Sequence, residues 1–286
     1  MTGSGLELAR VAGLWRVTRP WHPALRPYLR SYVGYFEESH SPYRVRVMPS
    51  GRAALVINLA EPFSEIQRIG DPPTKGGGPL GSLVVGLEDR PALCVHPGGQ
   101  ESIRVELSPL GAYRLLAMPM RELANQIVEL EDALGPEARE LVERLAMTPD
   151  WTARFDLLDF ALLNRIERGP DPAPEVGHAW RLLTGTAGTI PVARIADEVG
   201  WSHGYLVRRF TEQIGLSPKG SARVLRFQRA LGLLTRGTGS LAEISTACGF
   251  FDQAHLNREF RTLADITPGQ LLATRRTEGA IALHHR

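Results

Sequence analysis

Two stretches of the chain share one pattern: Ile195-Ala196-Asp197-Glu198-Val199-Gly200-Trp201-Ser202-His203-Gly204-Tyr205-Leu206-Val207-Arg208-Arg209-Phe210, and Ile244-Ser245-Thr246-Ala247-Cys248-Gly249-Phe250-Phe251-Asp252-Gln253-Ala254-His255-Leu256-Asn257-Arg258-Glu259-Phe260. Each is followed at the same distance by a hydroxyl residue and proline, Ser217-Pro218 and Thr267-Pro268. The second copy holds one extra residue between its glycine and its leucine, in a turn where length is tolerated. In each copy a short helix (Val192 to Val199; Leu241 to Cys248) runs into a glycine, where a left-handed C-terminal cap costs little. An aromatic residue follows, then Ser202 or Asp252, whose side-chain oxygen can cap a second helix. Leu206 and Phe210, like Leu256 and Phe260, stand at i and i+4 and turn one face of that helix inward. The spacing predicts two helix-turn-helix units.

The opposite face of each second helix is left to solvent: Ser202, His203, Gly204, Val207 and Arg208 in the first copy, Gln253, Ala254, Asn257 and Arg258 in the second. Laid in a major groove, such residues match base edges, Arg to guanine, Gln or Asn to adenine, and small apolar groups to the thymine methyl. One glycine-turned hairpin with an arginine is commonplace. Two copies joined by a long basic helix (Lys219 to Leu234, with Arg223, Arg226 and Arg229) point to double-stranded DNA.

Charge agrees with that division. Residues 1–174 carry 19 Lys and Arg against 22 Asp and Glu, whereas residues 175–276 carry 13 against 8, so a net charge of +2 hides a basic C-terminal module. The whole chain, 286 residues at 43% hydrophobic and 22% charged, has the length of two ordinary globular domains. Two distant cysteines, Cys94 and Cys248, offer no disulfide framework and no zinc spacing, and a reducing cytoplasm suits them. The absence of a long apolar run argues against a membrane partner.

The first half reads as strands over about residues 25–107. Arg44 to Val47 and Ser102 to Leu107 alternate polar and apolar, Ala53 to Leu59 (broken only by Asn58) and Leu83 to Val85 are apolar runs, and Pro/Gly turns separate them. A small β-barrel or sandwich is expected, with helices after it over about 110–166: Leu110 to Met118, Arg121 to Val128, Glu137 to Ala146 and Trp151 to Ile166. The fold class is therefore α+β, an N-terminal barrel or sandwich with helices, then an all-α domain. Three prolines within Arg168 to Pro174 mark a semi-rigid spacer. The expected division is 1–168, a sensor and dimerisation domain; 169–174, linker; 175–276, DNA-binding domain; and 277–286, a flexible tail that includes His284 and His285.

Over residues 190–275 the sequence resembles the DNA-binding domain of the AraC/XylS transcription regulators. The landmarks are Ile195-Ala196, Gly200, Ser202, Leu206, Arg208 and Phe210, then Arg226 and Ala230, then Ile244, Gly249-Phe250, Gln253, Leu256, Arg258, Phe260 and Thr267-Pro268. The resemblance implies a transcription regulator whose two recognition helices enter adjacent major-groove segments of an operator. Carried over by position, base contacts fall on Gly204, Val207 and Arg208, and on Gln253, Ala254, Asn257 and Arg258. The strands over about 25–107 can enclose a small-molecule effector and the helices of 110–166 offer amphipathic faces for a homodimer, and RNA polymerase is a further expected partner. Two other readings keep the same C-terminal half: a regulator controlled by a protein partner with no small ligand, and a DNA-repair fusion using Cys94.

Nothing else in the sequence composes an enzyme site. His96 beside Pro97-Gly98-Gly99, two residues from Cys94, reads as a turn histidine next to a strand thiol, with no third ligand or base in a recognisable position. Thr74-Lys75-Gly76-Gly77-Gly78 lacks the ending of a phosphate loop. Glu37-Glu38, Glu88-Asp89 and Glu131-Asp132 read as solvated surface or turn residues, and Trp15, Trp21, Tyr28, Tyr32, Tyr35 and Phe36 as core or interface, a few of them as lining of an effector pocket. No cofactor and no metal are expected.

Overall fold

The computed structural model describes residues 6–11, 14–37, 42–60, 62–63, 65–68 and 80–278. Its strands are β1 (Glu7–Val11), β2 (Leu14–Thr18), β3 (Leu29–Phe36), β4 (Tyr43–Val47), β5 (Ala53–Asn58), β6 (Glu65–Arg68), β7 (Leu83–Val85), β8 (Ala92–His96), β9 (Glu101–Leu107) and β10 (Ile127–Glu129). Two antiparallel sheets result, one in the order β1-β2-β3-β9-β5-β7-β10 and one in the order β4-β8-β6. The N-terminal half is therefore sheet-rich, as the alternation predicts.

The two faces of the large sheet differ in chemistry because side chains alternate along each strand. On one face the register brings Tyr32 and Leu55 beside Val105, and Ile57 beside Ile103. These side chains are buried under α1 (Pro109–Leu116) and α4 (Trp151–Arg168). The Tyr32 hydroxyl donates to the Phe155 carbonyl at 2.9 Å. A Cβ on Gly34 would lie 2.3 Å from the Trp151 ring, so the bare backbone of β3 is what lets α4 seat there. The other face carries Arg16, Tyr35, Ser102, Arg104, Glu106 and Asn58 in neighbouring register positions. Glu106 is paired with Arg52 at 2.5 Å and Arg104 at 3.5 Å. Cys94 on β8 feels Arg104 and Glu88, and burial pushes its thiol up to about 12.

Three expectations are corrected here. Two strands, β1 and β2, precede residue 25. The stretch Arg121 to Val128 is no helix: a single 3-10 turn at Met120–Glu122 leads into β10, where Val128 pairs with Val84. β-branched Ile127 and Val128 complete the sheet edge, an attraction that outweighs the helical spacing of that segment. Glu88 is buried, not solvated. The glycine-rich stretch at 74–78, Glu38 and the tail beyond 278 lie outside the described residues.

The helices continue as α2 (Leu130–Leu134), α3 (Glu137–Met147) and α4, then α5 (Pro174–Gly185), α6 (Val192–Val199), α7 (His203–Ile214), α8 (Pro218–Arg236), α9 (Leu241–Ala247), α10 (Gln253–Ala264) and α11 (Pro268–Glu278). One contiguous apolar cluster runs from Val17 through Phe155 and Val176 to Phe260 and Leu271. Residues 169–173 are tied to both flanking halves. A Cβ on Gly169 would lie 1.8 Å from the Arg114 carbonyl oxygen, Arg114 pairs with Asp171, and the Ala173 N–H donates to the buried Gln213 side chain on α7 at 2.9 Å. Among the described residues no helix is long and apolar enough to cross a membrane.

Candidate nucleic-acid interface

Helix α6 stops at Gly200, whose φ of 71° is the left-handed cap the sequence asks for. Ser202 then accepts a hydrogen bond from the Tyr205 N–H at 3.3 Å and starts α7. In the second unit α9 opens with a capping box in which Ser240 and Glu243 satisfy one another's backbone N–H. Hydrogen bonds from Ser240 hold the Glu243 carboxyl below its usual range. Asp252 accepts from the His255 N–H at 2.6 Å and starts α10. Such caps stabilise by about 1 kcal/mol each. They also fix where the second helix of each unit begins.

Leu206, Phe210, Leu256 and Phe260 are fully buried, as their spacing predicts. Phe260 meets Phe227 of α8 edge-on, with centroids 4.8 Å apart. The face left outside holds His203, Gly204 and Arg208 exposed with Val207 partly so, and Gln253, Ala254 and Arg258 exposed with Asn257 partly so. Ser202 is exposed too, but its hydroxyl is engaged as the cap.

The basic residues of α8 divide. Lys219 and Arg229 are exposed. Arg223 pairs with Glu259 of α10 at 3.0 Å, and Arg226 donates to the Gly188 carbonyl at 2.8 Å while lying 6.0 Å from the Phe250 ring. Burial lowers the pKa of the Arg226 guanidinium. Arg223 fastens α10 to α8, and Arg226 ties α8 to the loop before α6 and lies near the second turn, so the two hold both units on one frame.

Three aromatic residues stand beside the outward faces, and the sequence pattern marks only Trp201 of them, as the residue after the glycine. Trp201 meets Tyr205 edge-on at 4.8 Å, Arg208 lies 5.0 Å from the Tyr205 ring centroid, and Phe251 is 93% exposed in the second turn. The signal was present, since Trp201/Tyr205 and Phe250/His255 occupy matching places in the two copies.

Elsewhere, His96 lies at the end of β8, buried, edge-on to Phe63 at 5.3 Å and accepting from the Gly98 N–H. Among the described residues no group of His, Cys, Asp and Glu could hold a metal ion. Trp15, Phe36 and Trp151 stack in a row along the sheet, and Glu131 is bound by Arg139.

Residues 195–274 match a family model described as a helix-turn-helix domain, and residues 18–129 match a domain of unknown function, DUF6597. The HTH-type transcriptional regulator MtrA of Neisseria gonorrhoeae is 33% identical over 79 residues, 28% of this chain and 26% of that protein. The chain thus spans about a quarter to a third of the curated relatives it matches. A transcriptional regulator of the AraC-type DNA-binding domain-containing proteins from Chromobacterium violaceum is 30% identical, covering 36% of this chain and 94% of its own, with a TM-score of 0.34. ToxT of Vibrio cholerae is 12% identical over 85% of this chain and 97% of its own, with a TM-score of 0.45. With two capped recognition helices at a fixed offset and the match to the helix-turn-helix model, residues 195–274 are a double helix-turn-helix domain of the AraC/XylS type of transcriptional regulator.

Proposed function

We propose that the chain is a sequence-specific transcription regulator that grips an operator with α7 and α10 in adjacent major-groove segments. The observation that carries this reading is the pair of outward faces fixed to one connecting helix, α8, through Arg223 and Arg226. The base contacts are assigned to His203, Gly204, Val207 and Arg208 in the first unit and to Gln253, Ala254, Asn257 and Arg258 in the second, with Ser202 at the cap. Gly204 and Val207 carry no side-chain hydrogen bond, so α10 is the more selective helix.

Residues 1–168 serve as the sensor and dimerisation unit, 169–174 as the connection and 175–276 as the DNA-binding unit. A small-molecule effector on the sensor unit is favoured by the polar face of the large sheet, where Arg16, Tyr35 and Arg104 meet beneath β8. Homodimer formation is favoured by Phe160 and Met147, 66% and 78% exposed on α4 and α3. RNA polymerase as a partner rests on the AraC/XylS type of the C-terminal domain. Selection of binding sites from random duplex DNA by the full chain tests the reading. It should return an asymmetric site of two unlike blocks about one helical turn apart; recovery of DNA without sequence preference would overturn it.

A further inference from the structure

Arg208 is the one residue of the first recognition face whose side chain can make a bidentate contact with a guanine, since Gly204 and Val207 offer none. A long exposed arginine ordinarily loses rotamer freedom when it engages a base. Here the guanidinium rests over the Tyr205 ring at 5.0 Å. That ring is itself held edge-on by Trp201 at 4.8 Å and 87°. The Trp201 backbone is fixed behind it, because its main-chain N–H donates to the Ala196 carbonyl of α6 at 3.0 Å.

The second unit repeats the edge-on pair but ends it differently. Phe250 meets His255 at 5.5 Å and 88°. The imidazole is drawn inward, accepting from the Phe251 N–H at 3.3 Å and lying 3.8 Å from Glu259. Among the described residues no ring lies under Arg258. The two recognition arginines thus occupy matching positions in unlike settings, one on an aromatic platform and one without.

We propose that Tyr205 is a positioning residue for sequence readout: its ring, backed by Trp201, holds the Arg208 guanidinium in place before DNA arrives. This inference rests on the assignment of α7 as a recognition helix. It states that the first unit achieves selectivity chiefly by pre-ordering Arg208, with His203 beside it, whereas the second spreads selectivity over Gln253, Asn257 and Arg258.

The test compares full-chain wild type, Tyr205→Phe, Tyr205→Leu, Arg208→Ala and the Tyr205→Leu/Arg208→Ala double variant. The readout is the affinity for the selected operator divided by that for random duplex. Tyr205→Leu should lower this ratio about two- to fivefold, the size an exposed cation–π contact supports, with the loss confined to the base that Arg208 reads. Tyr205→Phe keeps the ring face and should retain the ratio. In the Arg208→Ala background the leucine should change nothing further, because the two residues act as one.

An unchanged ratio in Tyr205→Leu overturns the proposal. So does an equal loss in Tyr205→Phe, which would assign the effect to the hydroxyl, and so does equal weakening of operator and random DNA, which would make the ring a backbone contact. A wild type unable to tell operator from random DNA removes the recognition reading itself, and is thereby distinguished from failure of the tyrosine alone. A melting scan of each variant separates a folding defect, which lowers the Tm and both affinities, from the selective loss expected here.

Discussion

Arg258 on α10 and Arg223 on α8 carry the same guanidinium in unlike settings. Arg258 is exposed on the outer face of α10, whereas Arg223 is bound to Glu259 on its inner side. Replacing Arg258 with Ala is expected to remove about 1–3 kcal/mol from operator binding and to relax the preference at one base position. A binding titration on operator variants checks this, and an unaltered preference would reassign the residue. Arg223→Ala should instead leave Glu259 without its partner and weaken the seating of α10 on α8, lowering the urea midpoint by an amount equivalent to about 1 kcal/mol. Lys219, exposed at the start of α8, gives a third outcome: its alanine variant should weaken all sequences alike, by loss of at most one charge contact, and flatten the salt dependence accordingly.

At the scale of the element, the two glycine turns differ in what surrounds them. Gly200 and Gly249 both take the left-handed conformation, at φ 71° and 73°, but a Cβ on Gly200 would meet open space while one on Gly249 would lie 2.9 Å from the Thr189 methyl. Gly200→Ala should therefore cost about 1–2 kcal/mol of conformational strain, and Gly249→Ala more than that; equal losses in chemical denaturation would contradict the packing assigned to the second turn. These turns were legible because a helix end, a cap and an i, i+4 apolar pair are local signals. The large sheet was legible only in part. Ile127 and Val128 belong to a strand because Val84 and Val85 wait for them some forty residues earlier in the chain, and no local pattern announces so distant a partner. Strands β1 and β2 escaped notice for a related reason: they form the end of the sheet, where among the described residues Val17 alone is fully buried, so the apolar period is faint. In the candidate site the outward residues were readable from helical phase, while the Tyr205 platform was not, since phase gives a side chain's face and not its neighbour.

The whole molecule joins its two halves through the back of the first recognition helix. Gln213, fully buried on α7, holds the Ala173 N–H; Gly215 approaches the Met120 carbonyl so closely that a Cβ would lie 3.1 Å away; and Arg46 of β4 donates to the Ala264 carbonyl at the end of α10 at 2.8 Å. Both recognition helices are thus buttressed by the N-terminal half while their outer faces stay free. Because the apolar cluster is contiguous across the connection, the full chain should unfold in one cooperative transition by calorimetry, and two separated transitions would contradict the shared core. Gln213→Leu should strand the Ala173 N–H and lower stability by about 1–3 kcal/mol. The central claim, that α7 and α10 bind DNA as one rigid pair, is tested most directly by inserting five base pairs between the two blocks of the selected operator. Major-groove segments on one side of B-DNA recur every ~10–10.5 base pairs, so a half-turn insertion carries one block to the far side. Full-chain affinity should fall to that for random duplex; affinity undiminished by the insertion would mean that only one of the two units reads DNA.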